Sequence, residues 1–340
     1  MGKGEKFYVV GENIHCTRIY KVGGKYVQEN SDGSAVINFT DDGVEKQLPI
    51  PEKFTGSADW QSRKVKHTAV AIWQGLYGDD AAGELAREYI HYMVKRQEAH
   101  DASFLDVNVD EFSTDPEVCK EAMAWAVGMI QEVATIPLSI DSSNPGTLEL
   151  GLSAAKKTLG KPMVNSVSLE RTDAFKMAKD AGAVVIANAA GEEKIPDTQK
   201  GRIDNLNRIL EMLGKTGFKN EEIFVDPLVF PVSVNSTNGI DVLNAIEEIR
   251  KEYGPDIHFA PGLSNISFGM PKRKLLNQVF TYLCRERGLD GGIVDPLQIN
   301  GGILDSLDPE DEAFKVAQAF LMGEDMFGKD YISAVRGGTI

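Results

Sequence analysis

Short apolar runs alternate with longer amphipathic stretches along most of the chain. An apolar run bounded by turn residues is the pattern of a strand buried on both faces. A 3.6-residue period is the pattern of a helix packed by one face. Eight such runs predict strands at about 7–14, 103–109, 136–142, 162–168, 183–189, 223–229, 257–265 and 290–295. Helical stretches fill the gaps near 84–99, 115–133, 146–158, 171–181, 201–216, 238–253, 271–287 and 309–323. Eight strands, each followed by a helix, predict an α/β fold of the (β/α)8 TIM-barrel type. A doubly wound open sheet fits less well, since eight units exceed its usual six and no G-x-G-x-x-G follows the first strand. Local signals agree with the helix boundaries. Asp115-Pro116 and Asn144-Pro145 each place a capping residue before Pro, and Gly182, Gly217, Gly254 and Gly288 stand where helices should stop.

One segment breaks the rhythm. Between the first strand and its helix lie roughly 65 residues, about 16–82, far more than a normal βα loop holds. Turn signals at Asp32-Gly33 and Asp42-Gly43, with alternating stretches at Lys25–Gln28 and Ala35–Phe39, predict a β-hairpin-rich insertion. Because it leaves the carboxyl end of strand one, the insertion is expected over the C-terminal face of a single barrel domain spanning residues 1–340.

Composition narrows the partners. The chain carries 36 basic and 51 acidic residues, a formal charge of −15 that disfavours nucleic acid or an anionic membrane. Cys16, Cys119 and Cys284 are odd in number and lack C-x-x-C spacing, which argues against a disulfide framework or a thiolate zinc site. With no signal-peptide pattern and no apolar run of about 18 residues, a cytoplasmic protein is expected.

The candidate chemistry lies at the strand ends. They finish in carboxylates and amides: Glu12-Asn13, Asp106 and Asn108, Asp141, Asn165, Asn188, Asp226, Asn265 and Asp295. Any one of these reads most simply as a helix cap or a solvated loop residue. All eight strands ending this way implies a ligand, because clustered buried carboxylates and amides need partners. A flat heterocycle such as a pterin supplies them, since its N3–H and 2-amino group form a two-donor edge for a carboxylate. The five histidines show no ligand spacing and no metal site is expected, although carboxylates alone leave a hard-cation site open.

Gly11-Glu12-Asn13-Ile14, Leu105–Val109, Ile140–Asn144, Val164-Asn165-Ser166 and Val225–Leu228 follow one another at strand ends. Gly262-Leu263-Ser264-Asn265 closes the set, with Arg273 eight residues beyond Asn265. In order and placement these motifs resemble those of the methyltetrahydrofolate:corrinoid protein methyltransferases, pterin-binding enzymes of the dihydropteroate synthase-like superfamily. The resemblance spans most of the chain apart from 16–82.

That resemblance implies that Asp141, Asn165 and Asp226 hold the pterin ring and that Asn265 approaches the methyl-bearing N5. Glu12, Asn108, Gly262 and Arg273 would line the site, Arg273 being equally readable as a helix-surface residue. The implied substrates are tetrahydrofolate or methyltetrahydrofolate and a corrinoid (cobalamin) carried by a partner protein, in a demethylation or one-carbon pathway. A homodimer is implied as well. Two alternatives remain in view. Dihydropteroate synthase would require an Asn-x-Thr-x-Asp-Ser-Phe loop after strand one, where this chain has Asn13–Thr17. A non-catalytic folate-binding or corrinoid-docking protein could dispense with Asn265, which is present.

Overall fold

The computed structural model describes residues 6–340. Thirteen strands occur among them: β1 (Tyr8–His15), β2 (Ile19–Lys21), β3 (Val27–Glu29), β4 (Ala35–Asp41), β5 (Val44–Pro49), β6 (Lys64–Lys66), β7 (Ala102–Asn108), β8 (Leu138–Asp141), β9 (Met163–Val167), β10 (Val184–Asn188), β11 (Ile223–Asp226), β12 (His258–Phe259) and β13 (Gly291–Val294). Eight form one sheet in the order β12-β11-β10-β9-β8-β7-β1-β13, the cyclic succession of a (β/α)8 barrel. The two ends meet where Gly262 bridges Ile293 and the Ile293 amide donates to the Pro261 carbonyl at 2.9 Å. Closure there depends on a missing side chain. A Cβ on Gly291 would lie 2.7 Å from both the Phe259 and the Tyr8 carbonyl oxygens.

The strand interiors are apolar because both faces are covered: Val9, Leu105, Val107, Ile140, Val164, Val185, Ile186, Val225 and Phe259 are fully buried. The capping signals act as expected. Asp115 accepts the Glu117 amide at 3.0 Å, and the Asn144 Oδ1 accepts that of Thr147 at 3.1 Å. The helices run Asp80–Glu98, Pro116–Ile130, Pro145–Ala154, Asp173–Ala181, Gln199–Lys215, Asn238–Tyr253, Arg273–Glu286 and Glu312–Leu321.

The seventh strand differs from expectation. It was predicted over about 257–265, but the ladder ends at Phe259, and Leu263–Ser267 form a 3-10 helix. Pro261 has no N–H to give a neighbouring strand, so beyond Phe259 the pairing shrinks to the single Gly262–Ile293 bridge. Asn265 is therefore delivered by a 3-10 turn, not by a strand end.

The chain divides into two compact units, one of residues up to Gly11 with His100–Ser103 and Met163–Ile340, the other of Glu12–Ala99 with Phe104–Pro162. Residues 16–82 belong to the second. There β2 pairs antiparallel with β6, and β3, β4 and β5 form a three-stranded antiparallel sheet. The β4–β5 hairpin turns on Asp42-Gly43, both at positive φ (+49° and +80°), the two-residue turn whose twist matches that of the strands. The insertion also contains a helix at His67–Tyr77 that the hydropathy pattern hid, because Thr68–Ile72 are buried without interruption and show no amphipathic period. A Cβ on Gly75 would lie 1.9 Å from the Trp125 ring, so this helix packs by close approach onto Pro116–Ile130. His67 stacks on Tyr20 at 3.8 Å and meets the Tyr89 hydroxyl at 2.9 Å. Burial, aided by Arg18 and Arg96, pushes its pKa down to about 3, so it packs as a neutral ring.

Candidate active site

Two strand pairs carry the same device, one in each unit. Asn108 and Asp141 are register partners at the ends of β7 and β8, and the Asn108 Nδ2 donates to the Asp141 Oδ2 at 2.8 Å. Asn188 and Asp226 are register partners at the ends of β10 and β11, and the Asn188 Nδ2 donates to the Asp226 Oδ2 at 3.2 Å. The local backbone fixes the amide orientation in both. The Asn108 Oδ1 accepts the Asp110 N–H at 3.0 Å and the Asn188 Oδ1 accepts the Ala190 N–H at 2.8 Å, turns in which the amide oxygen is already used. Only the NH2 is left to face the carboxylate. Each carboxylate is thus aimed and half-satisfied by its neighbour, with acceptor capacity remaining.

Electrostatics keep both carboxyls on the edge of protonation. Burial, then the like charge of Asp106, pushes the Asp141 pKa up to about 7. Burial pushes Asp226 to about 6, against the opposing pull of the Leu228 N–H, Asn188 and the Arg202 guanidinium. Behind Asp141 lies His15, at the end of β1, whose Nε2 is 2.7 Å from the Asp106 Oδ2. Burial alone would lower the His15 pKa, but the hydrogen bond and charge of Asp106, with Asp141 and Glu12, raise it. His15, Asp106 and Asp141 place one ligand atom each within 4.8 Å of one another, a set that could hold a cation; the direct His15–Asp106 bond satisfies two of them without one.

His15 is the residue that sequence reading passed over. A lone histidine carries no spacing signal, and only the position of Gly11-Glu12-Asn13-Ile14-His15 on the first strand hints at it. His15→Ala would leave the fully buried Asp106 without its cationic partner, and an expected loss of about 3 kcal/mol should appear in urea unfolding at pH 6. The His15 proton is held more tightly in the folded state than in the unfolded one. Its contribution is therefore complete below about pH 6.5 and fades as pH rises through the raised folded value. An unchanged unfolding midpoint at pH 6 would refute the pairing.

The other expected residues fall as follows. Asn165 is half-buried in β9, ahead of a cis peptide to Ser166. The Glu12 carboxylate pairs with the Arg18 guanidinium. Asn265 is exposed, its N–H donating to the Gly262 carbonyl at 3.3 Å. Gly262 leaves room for it, since a Cβ there would lie 3.2 Å from the Asn265 Nδ2. Arg273 points back onto this turn. Its Nε donates to the Ser267 Oγ at 3.0 Å, its NH2 to the Ser264 carbonyl at 2.8 Å, and it lies 4.7 Å above the Phe268 ring. That bracing explains an exposed arginine better than a solvated helix face does.

The family model described as pterin binding enzyme matches residues 86–295, more than half of the 340-residue chain. The chain belongs to the pterin binding enzyme family. As a pterin binding enzyme it is 33% identical over 244 residues to a methylcorrinoid:tetrahydrofolate methyltransferase of Eubacterium limosum, covering 70% of this chain and 84% of that protein. It is 30% identical over 222 residues to the methionine synthase of Mycobacterium tuberculosis, covering 61% of this chain but 18% of that much longer protein. Among solved structures, a dihydropteroate synthase of Xanthomonas albilineans in complex with indole-2-carboxylic acid and 6-chloroguanine overlays with a TM-score of 0.51, over 71% of this chain and 87% of that one. At 17% identity this shows a shared fold alone. Within the pterin binding enzyme, the matched segment begins beyond the insertion and ends at Asp295. Both Asn–Asp pairs and Asn265 lie inside it, whereas Glu12 and His15 do not. No helix among the described residues is long and apolar enough to cross a membrane.

Proposed function

We propose that this pterin binding enzyme moves a methyl group between N5 of methyltetrahydrofolate and the cobalt of a corrinoid carried by a partner protein. The observation that carries the reading is the repeated Asn-to-Asp device, which aims two carboxylates, Asp226 buried and Asp141 half-buried, whose desolvation disfavours their bare anions. A donor edge of N3–H and the 2-amino group relieves that cost, because hydrogen bonds to the ionised form stabilise it. Asp141, Asn165 and Asp226 are assigned to the ring, with Asn108 orienting Asp141, and Glu12, Gly262 and Arg273 supporting the lining. The relatives named for methylcorrinoid:tetrahydrofolate and methionine chemistry support the methyl group as the cargo.

The reduced corrinoid supplies the nucleophilic metal. What this chain must do is improve the leaving group. The N5 atom keeps the electron pair of the broken C–N bond and must gain a proton, supplied by solvent at this exposed turn, to leave as a neutral amine. The Asn265 amide has no useful acidity, but it can hydrogen-bond the N5–H state as that state develops, which lowers the barrier more than it tightens binding. Its exposed position leaves the methyl side open to the acceptor.

The test is to mix the protein with methyltetrahydrofolate and cob(I)alamin and follow the methylcobalamin spectrum. Methylcobalamin formed at a rate proportional to enzyme is expected. Folate binding without transfer would overturn the reaction, and no folate binding would overturn the ring site as well.

A further inference from the structure

Val234, Phe268, Met326 and Phe327 are exposed by 81, 57, 65 and 81%, a large apolar area to leave in water. They stand on three segments of one compact unit that are bonded to one another. The Ser233 Oγ donates to the Phe268 carbonyl at 2.7 Å, and the Val232 amide to that of Ile266 at 3.0 Å. The Tyr331 hydroxyl donates to the Pro271 carbonyl at 3.2 Å, and Asp325 receives the Asp330 and Tyr331 amides.

Phe327 adds a second, independent signal. It has φ +62° and ψ 14°, a left-handed conformation that glycine adopts freely and a ring-bearing residue rarely does. The fold gains little from that ring, which is mostly in solvent. A strained backbone that presents an aromatic side chain outward is the kind of outlier that marks function.

Charge says what kind of partner fits. In a chain of net charge −15, Lys272, Arg273 and Lys274 form an exposed basic run beside this patch, with Lys329 close in sequence to Phe327. Glu324 and Asp330 are the exposed acids on the same segments. The surface is an apolar centre of Phe and Met with a basic flank, the composition of an interface core that meets an acidic rim. It also borders the methyl-transfer residue, since the Phe268 amide donates to the Asn265 carbonyl at 3.2 Å.

We propose that this surface docks the protein that carries the corrinoid, a partner with an acidic rim around its cobalt-bearing face. The inference rests on the proposed methyl transfer, because only that reaction requires a second macromolecule to approach Asn265. A second copy of this chain fits less well. A copy carries the same net charge of −15, and on this surface it offers only Glu324 and Asp330 to the basic run, so self-association is kept as an outcome of the test.

Phe327→Gly and Val234→Ser/Met326→Ser separate docking from chemistry. Glycine suits the left-handed position, so Phe327→Gly should keep or raise the melting temperature. Two acceptors are compared: free cob(I)alamin, and whichever cobalamin-reconstituted carrier protein the wild-type chain methylates fastest. Transfer to free cob(I)alamin should be unchanged in both variants, while KM for the carrier should rise tenfold or more and increase with salt in the wild type. An unchanged carrier KM overturns the docking surface, as does equal loss with both acceptors or a change confined to self-association in sedimentation. Wild-type protein that binds folate but methylates neither acceptor would instead overturn the proposed reaction.

Discussion

Asp226→Asn is expected to weaken tetrahydrofolate binding while removing the loss of stability that the wild type suffers as pH rises toward neutral. The carboxylate is 8% exposed and already receives the Leu228 N–H at 2.8 Å on Oδ1 and the Asn188 amide at 3.2 Å on Oδ2. If the pterin edge completes its shell, removing the charge should cost about 2–4 kcal/mol of affinity, the range for breaking a buried charged hydrogen-bond pair. That is about 30- to 1,000-fold in a calorimetric titration at pH 8. The stability effect has the opposite sign. The folded pKa is near 6 against an ordinary value of 3.8, so between those values the folded state binds more protons than the unfolded one. Stability of the wild type therefore falls as pH rises through that window, and the deficit is complete above pH 6. An asparagine carries no such deficit. The asparagine NH2 must face either the Leu228 N–H or the Asn188 amide, both donors, so one hydrogen bond is lost at every pH. Relative to its own value at pH 3.5, the variant should gain up to about 3 kcal/mol on wild type by pH 8. Unchanged folate affinity would remove Asp226 from the site, and a variant whose stability depends on pH as the wild type's does between about pH 4 and 7 would show that the Asp226 pKa is not raised.

Asn265→Ala should separate the chemical step from binding. The amide is exposed on a short 3-10 turn and anchors no core contact, so little stability depends on it. A hydrogen bond formed mainly as N5 loses its methyl group lowers the transition state more than the ground state. Loss of one hydrogen bond made mainly in the transition state, as when an oxyanion-hole donor is removed, costs about 10²–10³ in rate. Stopped-flow methylcobalamin formation at saturating methyltetrahydrofolate should slow by about 10²-fold, with the folate dissociation constant changing less than about fivefold. A normal single-turnover rate would end the catalytic assignment. Gly262→Ala offers a graded check. Its Cβ would lie 3.2 Å from the Asn265 Nδ2, close enough to shift that amide without removing it, so an intermediate rate is expected.

Some of this protein was legible in the residues alone. The eight apolar runs established the barrel, because a parallel strand covered on both faces has to be apolar throughout and its crossover helix has to be amphipathic. The caps at Asp115 and Asn144 and the Asp42-Gly43 hairpin were equally readable, since each is decided by the conformational preferences of one or two residues. The order of the polar strand ends was legible too, and it carries the proposed ring site, because parallel strands in one sheet deliver their last residues to a common edge.

Other features depended on contacts that sequence spacing does not encode. The helix at His67–Tyr77 escaped notice because it is buried nearly all round, and its place is decided by the approach of Gly75 to Trp125. The seventh strand ended early because Pro261 withholds an N–H, a loss that matters only where a neighbouring strand would have accepted it. The pairing of His15 with Asp106 joins residues 91 apart, and no local pattern signals a bond across that separation. The Asn-to-Asp device lies between these cases. Its residues were visible as polar strand ends, but only the register of β7 with β8 and of β10 with β11 made each asparagine the neighbour of its aspartate. Local propensity and hydrophobic period determined which elements form and where their polar ends stand. The tertiary structure decided which polar groups share a proton, which carboxylate is aimed by which amide, and how far burial lifts its pKa, because those depend on distances and dielectric that arise only when distant strands meet.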